Sequence, residues 1–417
     1  MRRAHVIGAG LAGLSAAVRL AERGWKVTVS EAATQAGGRC RSYLDPQLGL
    51  TIDNGNHLVL SGNHAVHDYL NTIDAADRLD GPEDARFPFM DLSDGTRWTL
   101  HPNAGPIPWW VFAKKRRVPG TKVRDYLPLK RLIGAPDDAE VRDRMPVTGT
   151  VWRRLFEPFL VAALNTQAEI GSAALAGAVV GETLAKGGRA CRPRIATPSL
   201  AAAFVDPALA WLERHGATIR LGRRVRALGI EGGRVTTLTF AEGIEPVGAN
   251  GVVILATPSW GAAELLPSLT VPDRHHSIVN AHFRVTPPAG ADPIVGLVGG
   301  TAEWVFAFPD RVSTTTSAAD RLDGTDREEL ARTIWGEVAR VHGLKGPMPA
   351  WQIVREKRAT FSATPEQDAK RPAADATGLA NLLLAGDWTR TGLPATIEGA
   401  IRSGATAAKM AAQHVPA

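Results

Sequence analysis

The apolar positions of the first thirty residues change period twice. His5 to Ile7 opens a short β-branched run that predicts the start of a strand. "LSAAVRLAERG" then spaces its apolar residues along a helix ended by Gly24, and "KVTVSE" reads as a second strand closing on Glu31. The far end repeats the change. Asn381 to Ala385 is a buried-strand run, and "ATIEGAIRSGATAAKMA" after it is helical. Between these ends, "GATIRLGRRVRAL" (Gly216 to Leu228), "GRVTTLTF" and "GVVILATP" alternate or run apolar between glycine turns, predicting further strands. The basic, apolar start "MRRAHVIGAGLAGLSAAV" has the outline of a signal peptide, but strand, glycine turn and helix account for the same residues. Elsewhere "FLVAAL" and "VVILA" are too short to span a bilayer, so any membrane contact is expected to be peripheral.

Composition narrows the class. A chain of 417 residues that is 44% hydrophobic and 22% charged can bury a large core, and its length predicts two domains. The net charge of +6 (48 minus 42) suits an anionic cofactor or an anionic membrane surface. Nucleic acid is not expected as a partner, because no motif accompanies the charge and the cations are scattered except at Lys114 to Arg117. Cys40 and Cys191 form no disulfide framework and bind no metal, pointing to a reducing cytosol, with Cys40 a packed loop residue.

The chemistry-bearing pattern sits at the first turn. Gly8, Gly10 and Gly13 have the G-x-G-x-x-G spacing, with Leu11 and Ala12 completing the turn that faces a phosphate. Gly8 permits the tight turn, Gly10 lets backbone approach a pyrophosphate, and Gly13 allows close helix–strand packing. Glu31 lies 18 residues beyond Gly13 at a strand end, where a carboxylate accepts hydrogen bonds from a ribose diol. The motif occurs once. "GLVGGTAEW" (Gly296 to Trp304) lacks the spacing, so a second dinucleotide domain is not expected and reducing equivalents must come from outside.

"AGGRCRS" (Ala36 to Ser42), just after the ribose acid, resembles the flavoprotein superfamily of amine oxidases and carotenoid desaturases. The resemblance implies FAD, a Rossmann-like α/β domain of the amine oxidase/phytoene desaturase type, and a mixed sheet-plus-helix (α+β) substrate domain. It implies that the loop of Gly38 and Arg39 wraps the pyrophosphate, with Arg39 as the phosphate-side cation. "IDNGNHLVL" (Ile52 to Leu60) resembles the strand and turn beside the isoalloxazine ring, placing Gly55, Asn56 and His57 near it. At the far end, Gly386-Asp387 resembles the corner whose acid binds the ribityl chain, and Thr396 and Ile397 the helix start whose amide donates to the flavin carbonyl edge. Such a helix N-terminus stabilises the negative charge of a reduced flavin. Val225 fits the residue whose backbone pairs with adenine. The implied FAD domain is discontinuous (1–65, 195–260 and 376–417), and 66–194 with 261–375 form the substrate domain.

A narrower resemblance covers nearly the whole chain. "FPFMDLSDGTRWTLHPNAGPIPWWVF", "FEPFLVAALNT", "IVNAHFRV", "GLVGGTAEWVF", "KRATFSATP" and "LLAGDWTRTGLPATIEGAIRSG" are similar to the hydroxysqualene dehydroxylases, also described as squalene-associated FAD-dependent desaturases. That resemblance implies reductive removal of the hydroxyl of a C30 isoprenoid alcohol to give squalene in hopanoid synthesis. An allylic alcohol loses water to a delocalised cation that hydride from reduced flavin N5 quenches, which needs an acid and a dry cavity. His57 and Glu303 are the candidate proton donors, with His282 behind them, although each also has a structural reading. Asn165, Trp304 and Trp388 are candidate substrate contacts, and Asn165 could equally cap its helix. An oxidative isoprenoid desaturase and a non-catalytic isoprenoid carrier are the alternatives. Amine oxidation is disfavoured, since an aromatic cage is hard to build from only Tyr43, Tyr69 and Tyr126.

"PWWVFAKKRR" (Pro108 to Arg117) admits two readings. Its rings and cations could rest on an anionic leaflet, with 106–120 a membrane-contact segment of a cytoplasmic enzyme on the inner face of the cell membrane. Alternatively Trp109 and Trp110 straddle a strand's pleat and the cations are a solvated turn. The implied partners are thus the isoprenoid alcohol, an external electron donor (NAD(P)H or a redox protein) and an anionic membrane surface.

Overall fold

The computed structural model describes residues 2–414. Its centre is a five-stranded parallel sheet whose strands come from distant parts of the chain, in the order Thr218–Arg220, Lys26–Ser30, Arg3–Ile7, Gly251–Leu255, Leu382–Leu384. Parallel strands buried on both faces read as continuous apolar runs, and "VVIL" and "LLL" do so. Their alternation still sorts the two faces. Val6, Val252, Ile254 and Leu383 pack against the helices Leu11–Ala21, Asp206–Arg214 and Ile397–His414. Ile7, Val253, Leu255, Leu382 and Leu384 pack on the other side, where Val235, Leu238 and Phe240 of an antiparallel three-stranded sheet (227–246) cover them.

The second large sheet has seven strands, in the order Trp351–Phe361, His275–Phe283, Val312–Thr316, Trp304–Ala307, Ile294–Val298, Phe87–Asp91, Arg97–Leu100. All pairs are antiparallel except Ile294–Val298 with Phe87–Asp91. One face buries Val279, Ala281, Leu297 and Val305 against the helix Arg327–His342, whose Leu330, Ile334 and Val338 recur at helical spacing. The opposite face carries Phe89, Trp304, Thr315 and Asn280 across neighbouring strands, as the register Phe89↔Gly296↔Trp304↔Thr315↔Asn280 requires. This face looks toward the loop 54–57.

The pleat reading of Trp109 and Trp110 is corrected. Trp109–Phe112 is a turn of 3₁₀ helix, followed by a second at Lys114–Arg116 and a longer one at Val123–Leu132. Four consecutive positions of a tight turn point around an axis, so Trp110 and Val111 are buried while Trp109 and Phe112 are exposed.

Candidate functional site

The glycine turn is built as its spacing predicts. Gly8 has φ +107°, and a Cβ there would lie 2.5 Å from the Ala256 carbonyl oxygen; a Cβ on Gly13 would lie 2.0 Å from that of Gly8. Around Gly10 the space is open. Gly10 is the N-cap of the helix Leu11–Ala21 and supplies no side-chain cap, so the Leu11, Ala12 and Gly13 end of the helix is free to receive an anion. Glu31 accepts from the Ala9 and Ala33 amides at 2.7 and 2.8 Å, which fixes its carboxylate at the mouth of the turn. The Arg223 amide donates to the Glu31 carbonyl at 2.7 Å, bringing buried Val225 within two residues of the same corner.

The loop Gly37–Cys40 closes over this turn. Gly37 pairs with Gly10, and its amide donates to the Ala9 carbonyl at 2.8 Å. Gly38 has φ +56° and faces the Gly10 Cα. Arg39 then spans the molecule. One Nη reaches Asp387 Oδ1 at 2.7 Å and the other the Ala359 carbonyl at 2.5 Å. The phosphate-side cation and the ribityl acid implied by the resemblance therefore form one ion pair between the two ends of the chain. Cys40 is buried, and burial pushes its thiol up to about 12, so it is packing and not a nucleophile.

The Gly386-Asp387 corner is tightly determined. A Cβ on Gly386 would meet Trp388 Nε1 at 2.3 Å, and that indole N–H donates to the Thr257 carbonyl at 2.9 Å. Trp388 is 3% exposed and core-packed, so it shapes the corner and is not a substrate contact, contrary to expectation. Arg371, which the sequence hid in the polar run "DAKRPAADA", is fully buried beneath the corner. It donates to the Asp387 and Thr389 carbonyls at 3.1 and 2.5 Å and to Thr391 Oγ1 at 2.8 Å. Nothing in that run distinguishes this arginine from a solvated one. At the following helix, Thr396 Oγ1 accepts from the Gly399 amide at 3.0 Å, and buried Ile397 is the first helical residue, at the positive end of the dipole.

Asn54 to His57 runs along the inner face of the seven-stranded sheet. Gly55 is needed for close approach, but to a side chain: a Cβ there would lie 3.3 Å from Asn280 Nδ2. Asn56 Nδ2 donates to the Thr314 carbonyl at 3.1 Å and Thr315 Oγ1 at 3.2 Å, and Thr315 Oγ1 donates to Asn280 Oδ1 at 2.8 Å. Asn54 Nδ2 donates to Glu356 at 3.0 Å. Sequence reasoning missed Asn280, Thr315 and Glu356, although Asn280 in "IVNAHF" breaks an otherwise apolar strand and was a legible signal.

The candidate proton donors separate electrostatically. Burial, then the Arg39 charge, pushes His57 down to about 4 against the pull of Asp387, which favours the neutral imidazole and makes it a poor general acid at neutral pH. His282 is pushed down to about 3 by burial and Arg311, against the pull of Asp45, and is likewise a poor general acid. Glu303 moves the other way. Burial raises its carboxyl, opposed by the Ser317 amide at 2.8 Å and Arg321 at 3.5 Å. Next to it, Trp304 is half-buried on the inner face, edge-on to Phe89 at 5.4 Å between centroids. Of the two readings of Asn165, the cap is the one observed: it ends its helix in the left-handed conformation (φ 47°), accepts from the Ala318 amide at 2.7 Å and donates to Thr360 Oγ1 at 2.9 Å. Both ends of the buried amide are used, so it joins elements and does not hold substrate.

The residues present fit a dinucleotide. Two glycines cannot carry a Cβ, open space surrounds a third at a helix start, and a fixed carboxylate and an arginine stand beside them. Fold and site define a flavin-binding oxidoreductase. The family model described as flavin containing amine oxidoreductase matches residues 11–411. Among curated proteins, a hydroxysqualene dehydroxylase from Sinorhizobium fredii is 52% identical over 98% of each chain, and one from Zymomonas mobilis 49% identical over 98% of this chain and 99% of its own. Among solved structures, a putrescine oxidase double mutant redesigned in cofactor binding aligns with TM-score 0.71 at 16% identity over 99% of each chain. An oxidoreductase from Methanosarcina mazei also gives 0.71, at 14% identity over 97% of this chain and 99% of its own, so these two speak for the fold. The chain belongs to the flavin containing amine oxidoreductases and, within them, to the hydroxysqualene dehydroxylases. It is a flavoenzyme, and its cofactor is FAD.

Proposed function

We propose that the enzyme removes the hydroxyl of hydroxysqualene reductively, giving squalene. The observation that carries this is the 52% identity to a hydroxysqualene dehydroxylase over 98% of the chain, a span that takes in the substrate-side sheet as well as the dinucleotide turn. FAD, reduced by an external donor such as NAD(P)H or a redox protein, supplies the hydride when bound. Glu303 holds the proton that leaves with the hydroxyl as water; a carboxyl raised by burial keeps that proton closer to neutrality than a solvated one. Trp304, half-buried and braced edge-on by the buried Phe89, presents a ring on which an allylic cation is tolerated without a competing nucleophile. Asn56, Asn280 and Thr315 lock the loop 54–57 to this face, and Arg39, Asp387 and Arg371 lock the opposite side. The C30 substrate resides in a bilayer, so the protein also docks on an anionic membrane surface at the cytoplasmic side through 106–120.

The test is anaerobic incubation of the flavin-loaded enzyme, chemically reduced, with hydroxysqualene. Squalene is the expected product. Glu303→Gln should lower its formation by about a hundredfold or more, the usual worth of a general acid, with flavin content unchanged. Rate should fall as pH rises through the raised Glu303 pKa, and that limb should vanish in Glu303→Gln. Squalene at the wild-type rate from the variant would remove Glu303 from this role. Oxidation of squalene by the oxidised enzyme, with no dehydroxylation by the reduced one, would favour the desaturase instead.

A further inference from the structure

Residues 107–133 contain eight Lys or Arg and one acid, Asp125, a net charge of +7 (8 minus 1). The whole chain carries +6, so everything else sums to −1 (6 minus 7). The charge of this protein is thus a local feature. Elsewhere arginines are mostly engaged, as in Arg154 with Asp91 and Asp94 or Arg402 with Glu182 and Glu398. Within 107–133 only Arg124 reaches a carboxylate among the described residues, that of Asp125 at 4.0 Å. Asp125 is itself occupied, accepting from the Lys122 amide at 2.7 Å. Seven cations are left without an anionic partner among the described residues.

The same stretch concentrates exposed apolar side chains. Ile107, Trp109, Phe112, Leu127 and Ile133 are between 46% and 67% exposed. They fall in two halves, 107–117 and 122–133, which one buried contact holds together. Tyr126 of the second half meets Trp110 of the first edge-on at 5.3 Å, and its hydroxyl accepts from the Val118 amide at 2.9 Å. On its inner side Tyr126 meets Phe156 at 6.2 Å. Trp110 and Tyr126 therefore point inward, while their neighbours Trp109 and Leu127 are exposed, and Phe112 joins Trp109 at 6.1 Å.

We propose that the docking surface has two parts: the second half, Lys122 to Ile133, binds the anionic bilayer together with the tryptophan segment. This rests on the reading that the enzyme docks on a membrane, and it assigns the surface that does so. Exposed indole, phenyl and aliphatic groups interleaved with unpaired cations suit a leaflet, where rings enter the headgroup boundary and cations meet anionic lipid. A second copy of the chain does not fit, since it would bring another +7 against the first.

The experiment is co-sedimentation of the flavin-loaded full chain with vesicles of phosphatidylcholine, with and without one part in three of phosphatidylglycerol. Wild type should bind the anionic vesicles at least tenfold better, and high salt should remove the difference. Lys122→Gln, Arg124→Gln, Lys130→Gln and Arg131→Gln combined should lower partition by about six-hundredfold, at about fivefold per cation. Leu127→Ala with Ile133→Ala should match the loss caused by Trp109→Ala with Phe112→Ala. Flavin absorbance, and squalene formation from detergent-dispersed substrate, should stay within twofold of wild type in every variant. Wild-type binding by both second-half variants, with loss only in Trp109→Ala/Phe112→Ala, would overturn this inference and leave docking through 106–120 standing. Wild-type binding by all variants would overturn both. Retention by a short DNA duplex but not by vesicles would overturn the lipid occupant. Vesicle binding is read without turnover, so a failure of dehydroxylation is scored separately.

Discussion

At His282 the ring Nδ1 faces Ser313 Oγ at 2.8 Å, while Nε2 is buried without a hydrogen-bond partner among the described residues. Burial and the Arg311 charge push this imidazole down to about 3, against the pull of Asp45. The unfolded chain takes up its proton near the ordinary value of 6.5, and the folded chain does not until about 3. Between those values the unfolded state binds more protons, so the stability is fully present above 6.5 and is lost progressively as pH falls toward 3. At pH 5 the loss from this one group is on the order of 2 kcal/mol. His282→Gln keeps a polar group toward Ser313 and removes the titration. Its melting temperature should fall several degrees less between pH 7 and pH 5 than that of wild type, by differential scanning fluorimetry. Equal acid sensitivity in the two proteins would show that His282 does not carry the effect.

The two helices that start at the cofactor site also pack on one another, and a glycine makes this possible. A Cβ on Gly404 would lie 2.1 Å from the Ala12 carbonyl oxygen and 2.9 Å from Ser15 Cβ, where Ser15 Oγ donates to the Ile401 carbonyl at 2.9 Å. Gly404→Ala must push Ile397–His414 off Leu11–Ala21, at about 3 kcal/mol or more, and misplace both helix starts. Gly336, mid-helix with open space around it, is the contrast: Gly336→Ala should be neutral or stabilising by up to about 1 kcal/mol. Thermal denaturation with flavin quantification separates the two, and flavin retained at wild-type level in Gly404→Ala would refute the packing argument. The elements concerned were legible because their signals are local. "GAGLAG" fixes a turn, and "LLLAGDW" ends a buried run at a glycine. The predicted helix from Leu14 begins at Leu11, and the strand from Asn381 occupies Leu382–Leu384. The seven-stranded sheet was not legible, since its register joins Phe89 to Gly296 and Asn280 to Thr315 over long stretches of chain. Nor was the turn at Trp109–Phe112, where four residues are too few to show a period. Arg371 was missed and Trp388 misread for one reason: burial of a polar or aromatic side chain within an irregular loop is decided by what folds over it.

Across the whole molecule, the cofactor site is closed by its two chain ends. Leu382–Leu384 pairs with Val253–Leu255, Arg3–Ile7 lies on the far side of that strand, and Arg39 ties the first loop to Asp387. The Arg39–Asp387 pair loops out 348 residues, and the two strand pairings loop out 248 (251 minus 3) and 129 (382 minus 253), so the site is assembled late and held by non-local pairs. A ligand that binds only the assembled state stabilises every part of it at once, by RT ln(1 + [L]/Kd). Adding FAD should therefore slow amide hydrogen exchange together at 8–14, 37–40, 386–389 and 396–400. The segment 107–133 shares no hydrogen bond with those residues and should not respond to FAD, whereas anionic vesicles should slow it and leave the chain-end segments unchanged. Hydrogen-exchange mass spectrometry of the same preparation under the four combinations of FAD and vesicles reads both responses. Protection by FAD confined to the N-terminal segments would mean that the far end docks independently of the cofactor, and the interlock through Arg39 and Asp387 would then be packing without consequence for binding.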